Sequence, residues 1–136
     1  MDQKTIRDLA EAALKARDNA YVPYSNFSVG AALLTEDGTL FTGCNIENKS
    51  YPAGICAERT AIFSAAAAGK RSFRALAVAG GMKDREPRDY CMPCGICRQV
   101  MSEFCGPDFE VAVVKSAGDV RVYRLDELLP HVFDSL

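Results

Sequence analysis

The sequence predicts an α/β fold, with helices packed on the faces of a central sheet of five strands. Segments with apolar residues at three-to-four spacing alternate with short strand-like runs, in the order α-β-β-α-β-α-β-β-α. Clusters of Gly, Pro, Asn, Asp and Ser separate these segments, as turns require. A composition of 49% apolar and 25% charged residues over 136 positions is the ordinary balance of a chain with a buried core, and one domain spanning 1–136 is expected.

The first element covers Asp2 to Ala20, where Ile6, Leu9, Ala10, Ala13 and Leu14 form one apolar stripe of an amphipathic helix. Pro23-Tyr24-Ser25-Asn26 ends it with turn chemistry. Val29 to Leu34 and Thr39 to Thr42, joined by Glu36-Asp37-Gly38, read as a hairpin. Asn45 to Gly54 is a loop. Cys56 to Ala68 is almost wholly apolar or small, which predicts a helix buried on most of its circumference and closed by Gly69. Phe73 to Gly80 is an alanine-rich buried strand, followed by the polar stretch Lys83 to Asp89. Cys94 to Cys105 is a helix with Val100, Met101 and Phe104 inward. Phe109 to Val114 and Val120 to Tyr123 are strands, and Asp126 to Leu129 is a short helix that Asp126 is expected to cap before Pro130 stops it.

Two stretches carry chemistry. Cys56-Ala57-Glu58 and Pro93-Cys94-Gly95-Ile96-Cys97 together supply three thiols and a carboxylate. Zinc takes soft thiolates in a tetrahedron, and three protein ligands with a water in the fourth position and a non-ligating acid nearby make a catalytic site. Residues i and i+2 of a helix do not face each other, so Cys56 and Glu58 can converge only at a helix N-terminus, where side chains of the first turn lean past the end. Cys94 and Cys97, at i and i+3, share a face of the first turn of the second helix, with Pro93 at its start. A zinc ion then sits between two helix starts. Three thiolates outweigh a dication by one charge, and Arg59 together with the helix dipoles is the expected compensation. A closed structural site would need a fourth ligand. Cys91, three residues before Cys94, is the one in register, and it also opens a competing Cys91-x-x-Cys94 pairing. Cys94 and Cys97 are preferred because only they follow the proline. Cys44, Cys105 and His131 read as structural residues.

A net charge of −2 speaks against a polynucleotide partner. No apolar run approaches the ~20 residues of a membrane span, and no leader pattern opens the chain. Six cysteines then read as reduced thiols and metal ligands, and a cytoplasmic location is expected.

Cys56-Ala57-Glu58 followed by Pro93-Cys94-x-x-Cys97 resembles the cysteine-first signature of the zinc nucleoside deaminases. Pro23-Tyr24-Ser25, Phe27-x-Val29-Gly30-Ala31-Ala32, Gly43-Cys44-Asn45-Ile46-Glu47-Asn48, Arg59-Thr60-Ala61, Arg98-Gln99 and Leu128-Leu129-Pro130 extend the likeness from about Tyr21 to Phe133, and the chain is similar to the small homotetrameric cytidine deaminases. The resemblance implies a three-layer α/β/α sandwich about a mixed five-stranded sheet. It implies hydrolytic deamination of cytidine and deoxycytidine in pyrimidine salvage, with one Zn2+ per chain on Cys56, Cys94 and Cys97 and with Glu58 as proton shuttle. It further implies that Asn45 and Glu47 hold the ribose hydroxyls, that Phe27 lies against the pyrimidine, and that Ala57 joins the substrate contacts. Arg59 is implied to hydrogen-bond ligand sulfurs. Tyr51 and Phe133 resemble aromatics that reach a neighbouring subunit's pocket, so active sites are expected to be shared within a homotetramer. Met92 stands where the family commonly has serine. Alternatives are a deaminase of nucleoside analogues, a non-catalytic structural zinc module with four protein ligands, and a polynucleotide editor, the last disfavoured by charge.

Overall fold

A computed structural model describes all residues, Met1–Leu136. Four helices, α1 (Gln3–Ala16), α2 (Ala57–Ala67), α3 (Gly95–Phe104) and α4 (Leu125–Leu128), accompany five strands, β1 (Phe27–Thr35), β2 (Leu40–Cys44), β3 (Phe73–Met82), β4 (Glu110–Ser116) and β5 (Asp119–Arg124). The strands form one sheet in the order β2-β1-β3-β4-β5. Only β3 and β4 run parallel; the other neighbours are antiparallel, so the sheet is mixed. This is the expected three-layer sandwich, with α1 on one face and α2, α3 and α4 on the other.

Strand periodicity decides which helix goes where. Along β3, Leu76 and Val78 face the α2–α3 side, whereas Ala75, Ala77 and Ala79 face α1. Alternate residues of a strand point to opposite faces, so the alanines make one face shallow enough for α1 to lie close, while the larger side chains fill the space under α2 and α3. Ala31, Ala32 and Leu33 of β1, and Val111, Ala112 and Val113 of β4, repeat the same division.

Several boundaries differ from expectation. Helix α1 stops at Ala16, and a 3-10 turn over Arg17–Asn19 follows it, with Asp2 capping the start by accepting from the Thr5 amide at 2.8 Å. Helix α2 is buried on one side only. Ala57, Glu58, Ala61, Ile62 and Ala65 face inward, but Phe63 is 44% exposed, because the outer face meets no other element of the same chain. Cys94 lies at the N-cap of α3 rather than within its first turn, and Pro93 precedes the cap as a buried residue. The cap of α4 is Arg124, not Asp126: the Arg124 amide donates to the Glu127 carboxylate at 2.8 Å, and Asp126 instead pairs with the Arg124 guanidinium.

Candidate active site

Strand β2 leaves the sheet at Cys44, and the chain crosses a loop containing a 3-10 turn at Tyr51–Ala53 before α2 begins. Cys56 is the N-cap of α2, with extended backbone angles φ −79° and ψ 155°. Cys94 plays the same part for α3, and its sulfur accepts from the Cys97 amide at 3.5 Å. Two helix starts therefore aim thiols at one point, and Cys97 in the first turn of α3 supplies the third.

The sulfurs of Cys56, Cys94 and Cys97 all lie within 4.8 Å of one another, and the Cys56 to Cys94 separation is 3.7 Å. A tetrahedral zinc with Zn–S bonds near 2.3 Å has sulfur–sulfur edges of roughly 3.8 Å. The three residues fit that ion. Cys91 does not join the cluster, which decides the register in favour of Cys94 and Cys97. His131 sits in the exposed C-terminal tail and is no part of it.

Charge around Cys56 is arranged to keep that sulfur anionic, whereas the Cys97 thiol is pushed well up, first by its hydrogen bond with Cys56 and then by burial. Arg59 Nη2 donates to Cys56 Sγ at 3.4 Å. The Cys56 thiol is pulled far down, to about 5, by hydrogen bonding from Cys97, then from Arg59 and Cys94, against the opposing effect of burial. Arg59 Nε is buried and has no hydrogen-bond partner, a second donor held beside the metal ligands.

Glu58 is buried, at 4% exposure, in the first turn of α2. Desolvation pushes its carboxyl up to about 7, the range in which one group can both take and give a proton at neutral pH. Cys91, raised to about 11 first by burial and then by the Glu58 and Cys56 charges, is a neutral thiol.

A cavity of about 570 Å3 opens over these groups. Cys56, Ala57, Glu58, Arg59 and Cys94 line it, together with Asn45, Glu47 and Tyr51. Tyr51 stands at the mouth, 80% exposed. Glu47 reaches back across the chain: Oε1 accepts from the Tyr24 and Ser25 amides at 3.0 and 3.1 Å, and Oε2 accepts from the Ser25 hydroxyl at 2.5 Å. These donors hold its carboxyl below the usual range, the Ser25 hydroxyl foremost. The Asn45 side chain spans β1, accepting from the Val29 amide at 2.8 Å and donating to the Phe27 carbonyl at 2.9 Å. Phe27 and Phe133 do not line this cavity. Phe27 walls an adjoining groove with Gly80 and Cys91, and Phe133 is an exposed side chain whose carbonyl accepts from Gln99.

Two contributors escaped the sequence reading. The Ser25 hydroxyl, besides donating to Glu47, accepts from the Phe27 amide at 3.0 Å, so it links Glu47 to the backbone of the aromatic. Arg98 clamps the metal loop, donating to the Pro93 carbonyl at 2.8 Å and to the Leu128 carbonyl at 2.7 Å. Its place directly after Cys97 was the available signal.

The cytidine and deoxycytidylate deaminase zinc-binding region matches residues 3–113. The chain belongs to this family. A cytidine deaminase of Sporosarcina psychrophila is 48% identical over 128 residues, covering 94% of this chain and 90% of that protein. A probable cytidine deaminase of Dictyostelium discoideum is 44% identical, covering 98% and 86%. Among solved structures, the cytidine deaminase of Burkholderia pseudomallei superimposes with a TM-score of 0.84 at 54% identity, covering 93% of this chain and 97% of that one. That of Mycobacterium tuberculosis gives 0.75 at 37%, covering 100% and 99%. The chain is thus a deaminase of the zinc type, and Zn2+ is the metal its sulfur cluster suits.

Proposed function

We propose that this protein hydrolyses cytidine and deoxycytidine to uridine and deoxyuridine, releasing ammonia, as a single catalytic domain of pyrimidine salvage. The observation that carries the reading is the meeting of three sulfurs within 4.8 Å with a buried glutamate whose carboxyl lies near 7.

Cys56, Cys94 and Cys97 would hold the zinc. When bound, zinc supplies Lewis acidity that makes water nucleophilic near neutral pH. Glu58 takes a proton from the water that adds to C4 of the pyrimidine. It delivers a proton to N3, which makes C4 electrophilic, and moves another to the amino group, which leaves as ammonia. Arg59 keeps Cys56 anionic. Ala57 walls the cavity beside Glu58, and Asn45 and Glu47, in the same lining, suit the sugar hydroxyls. Asn45 and Glu47 are partly buried and held in place by hydrogen bonds within the chain, a preset polar pair that favours a nucleoside over the free base. Phe27 lies across Cys91 from the cavity and is read as the aromatic flanking the base.

Exposed Phe63, Tyr51, Ile96 and Phe133 support a homotetramer in which Tyr51 and Phe133 complete a neighbour's pocket. The −2 net charge favours a small nucleoside over a nucleic acid, and a cytoplasmic setting suits the free thiols. No helix is long and apolar enough to cross a membrane.

A structural zinc module is the competing reading. It needs a fourth protein ligand, and the sulfur cluster has three. Glu58→Gln discriminates: turnover of cytidine, followed by absorbance, falls by more than ~10⁴-fold while zinc content and melting are retained. Retained turnover in the variant, or a zinc-loaded wild type inert toward cytidine, overturns the proposal.

A further inference from the structure

We infer that Cys91 limits the size of the base, its side chain forming the wall that the C5 edge of the pyrimidine meets. This rests on the deaminase reading above.

Cys91 is the only residue that lines both the catalytic cavity and the adjoining groove of about 130 Å3 walled by Phe27, Gly80 and Tyr90. It is half-buried and stands outside the sulfur cluster. It is therefore a partition between two spaces.

Which ring edge it meets follows from the directions of approach. C4 of cytosine has two neighbours in the ring, N3 and C5. Proton delivery requires N3 to face Glu58, which arrives on α2 together with Cys56 and Ala57. The opposite side of C4 is then left to the segment that arrives independently, Cys91 to Cys94; Cys91 and Met92 line the cavity ahead of the metal ligand, and of the two it is Cys91 that packs against Gly80 of β3 and also walls the groove.

The wall is rigid from behind. A Cβ placed on Gly80 would fall 2.7 Å from Cys91 Sγ, 2.9 Å from Cys91 Cβ and 2.9 Å from Phe27 Cε2. The Cys91 and Phe27 side chains thus rest on the same bare stretch of β3, and Gly80 is needed because nothing larger fits under them. A bulkier residue at position 91 has no room to retreat toward β3, so its extra atoms project into the cavity. A smaller one joins the cavity to the groove and opens space beside C5.

The test is the ratio of kcat/KM for 5-methylcytidine to that for cytidine, measured on zinc-loaded wild type and three variants. One methyl in an apolar pocket changes specificity by roughly 10- to 200-fold. Cys91→Ala is expected to raise the ratio at least ~10-fold and Cys91→Leu to lower it by as much. Cys91→Ser keeps the size of the side chain and is expected to keep the ratio within about threefold, which separates steric restriction from thiol chemistry. Zinc content and melting are read first; should the leucine variant fail to fold, the alanine variant decides alone. An unchanged ratio in a zinc-loaded Cys91→Ala overturns the inference and leaves the deaminase reading standing. A wild type with full zinc and no cytidine turnover overturns the deaminase reading, and this inference with it.

Discussion

Gly43→Ala isolates the contact that sets α2, and with it Cys56 and Glu58, against the sheet. A Cβ at Gly43 would lie 2.5 Å from the Ala61 nitrogen, 2.6 Å from the Ala57 carbonyl oxygen and 2.9 Å from Thr60 Cβ. Two of these are backbone atoms of α2, which cannot rotate away. Ordinary contact begins near 3.4 Å, so the helix must draw back by up to about 0.9 Å, the shortfall at the closest atom. Overpacking of this kind destabilises by about 1–3 kcal/mol. The retreat also stretches the bond from Thr60 Oγ1 to the Cys44 carbonyl, now 3.0 Å. Cys56 and Glu58 move with α2, while Cys94 and Cys97 stay on α3. Metal-ligand distances tolerate only about 0.2 Å. Urea unfolding of the metal-free protein should therefore show a loss of about 2 kcal/mol. Chelator competition should show zinc held at least ~10-fold more weakly, and kcat/KM for cytidine should fall by ~10². Gly38→Ala is the control: its positive φ of 88° makes the substitution strained, but nothing lies within 4 Å of its Cβ, so stability drops without weakening zinc. Should Gly43→Ala bind zinc and turn over cytidine within threefold of wild type, α2 is not seated by this contact and the reasoning fails.

Arg59→Gln removes the cation that donates to Cys56 Sγ, and zinc affinity by chelator competition should fall 10- to 100-fold with the fold intact by circular dichroism. Zinc removal should lower the melting temperature and re-addition restore it, since the ligand set is assembled only in the folded state; an unshifted melt would count against metal binding at this cluster. Glu47 has a folded-state carboxyl held low by Ser25 and Tyr24, so its stabilising effect is complete above its ordinary value of 4.5 and fades as the pH drops through the lower folded value. The protection of the Tyr24 and Ser25 amides, taken as the exchange rate relative to the intrinsic rate at each pH, should fall in wild type as the pH drops below 4.5, and be low already at pH 7 in Glu47→Ala. Equal protection in the two proteins at pH 7 would show that the carboxylate does not hold the turn.

Strand and helix order was legible because the pattern is two-sided. Alanines at alternate positions of β3 and bulkier residues between them announce a strand buried on both faces. The sulfur cluster was legible from spacing together with Pro93, since spacing by itself left Cys91 as a rival to Cys97. What stayed hidden depends on contacts far apart in sequence or on missing neighbours. Glu47 bonds Ser25 across 22 positions, and no local period encodes that. Asn45 turns its amide onto the backbone of β1, where either end of a short polar side chain is satisfied by the strand beside it. The exposed outer face of α2 defeated the expectation of burial all round, because an alanine-rich helix looks equally apolar in every direction and only the packed structure shows which side is covered. The i, i+2 spacing of Cys56 and Glu58 and the proline before Cys94 pointed to helix starts, but cysteine is not a favoured N-cap, so the chain did not signal that Cys56 and Cys94 are the caps themselves.

That placement resolves the electrostatic difficulty of an all-sulfur site. An N-cap residue keeps extended backbone angles, so its side chain points along the helix axis toward the unpaired amides of the first turn rather than out from the helix wall. Cys56 and Cys94 each take the N-cap position, Cys94 accepting from the Cys97 amide and Cys56 making no such bond, and each lies at a helix start carrying about half a positive charge. Together the two helix ends offset roughly the one unit by which three thiolates exceed a dication, and Arg59 adds a full charge at Cys56. The geometry answers the i, i+2 problem with the same device: because Cys56 is outside the helix and Glu58 within its first turn, the two side chains are not bound to the 3.6-residue period that would drive them apart. Glu58 thereby gains a buried position beside the sulfurs without becoming a ligand, and desolvation, opposed by its own backbone amide, sets its carboxyl near neutrality. One helix start thus supplies a ligand, the counter-charge for it and the proton carrier.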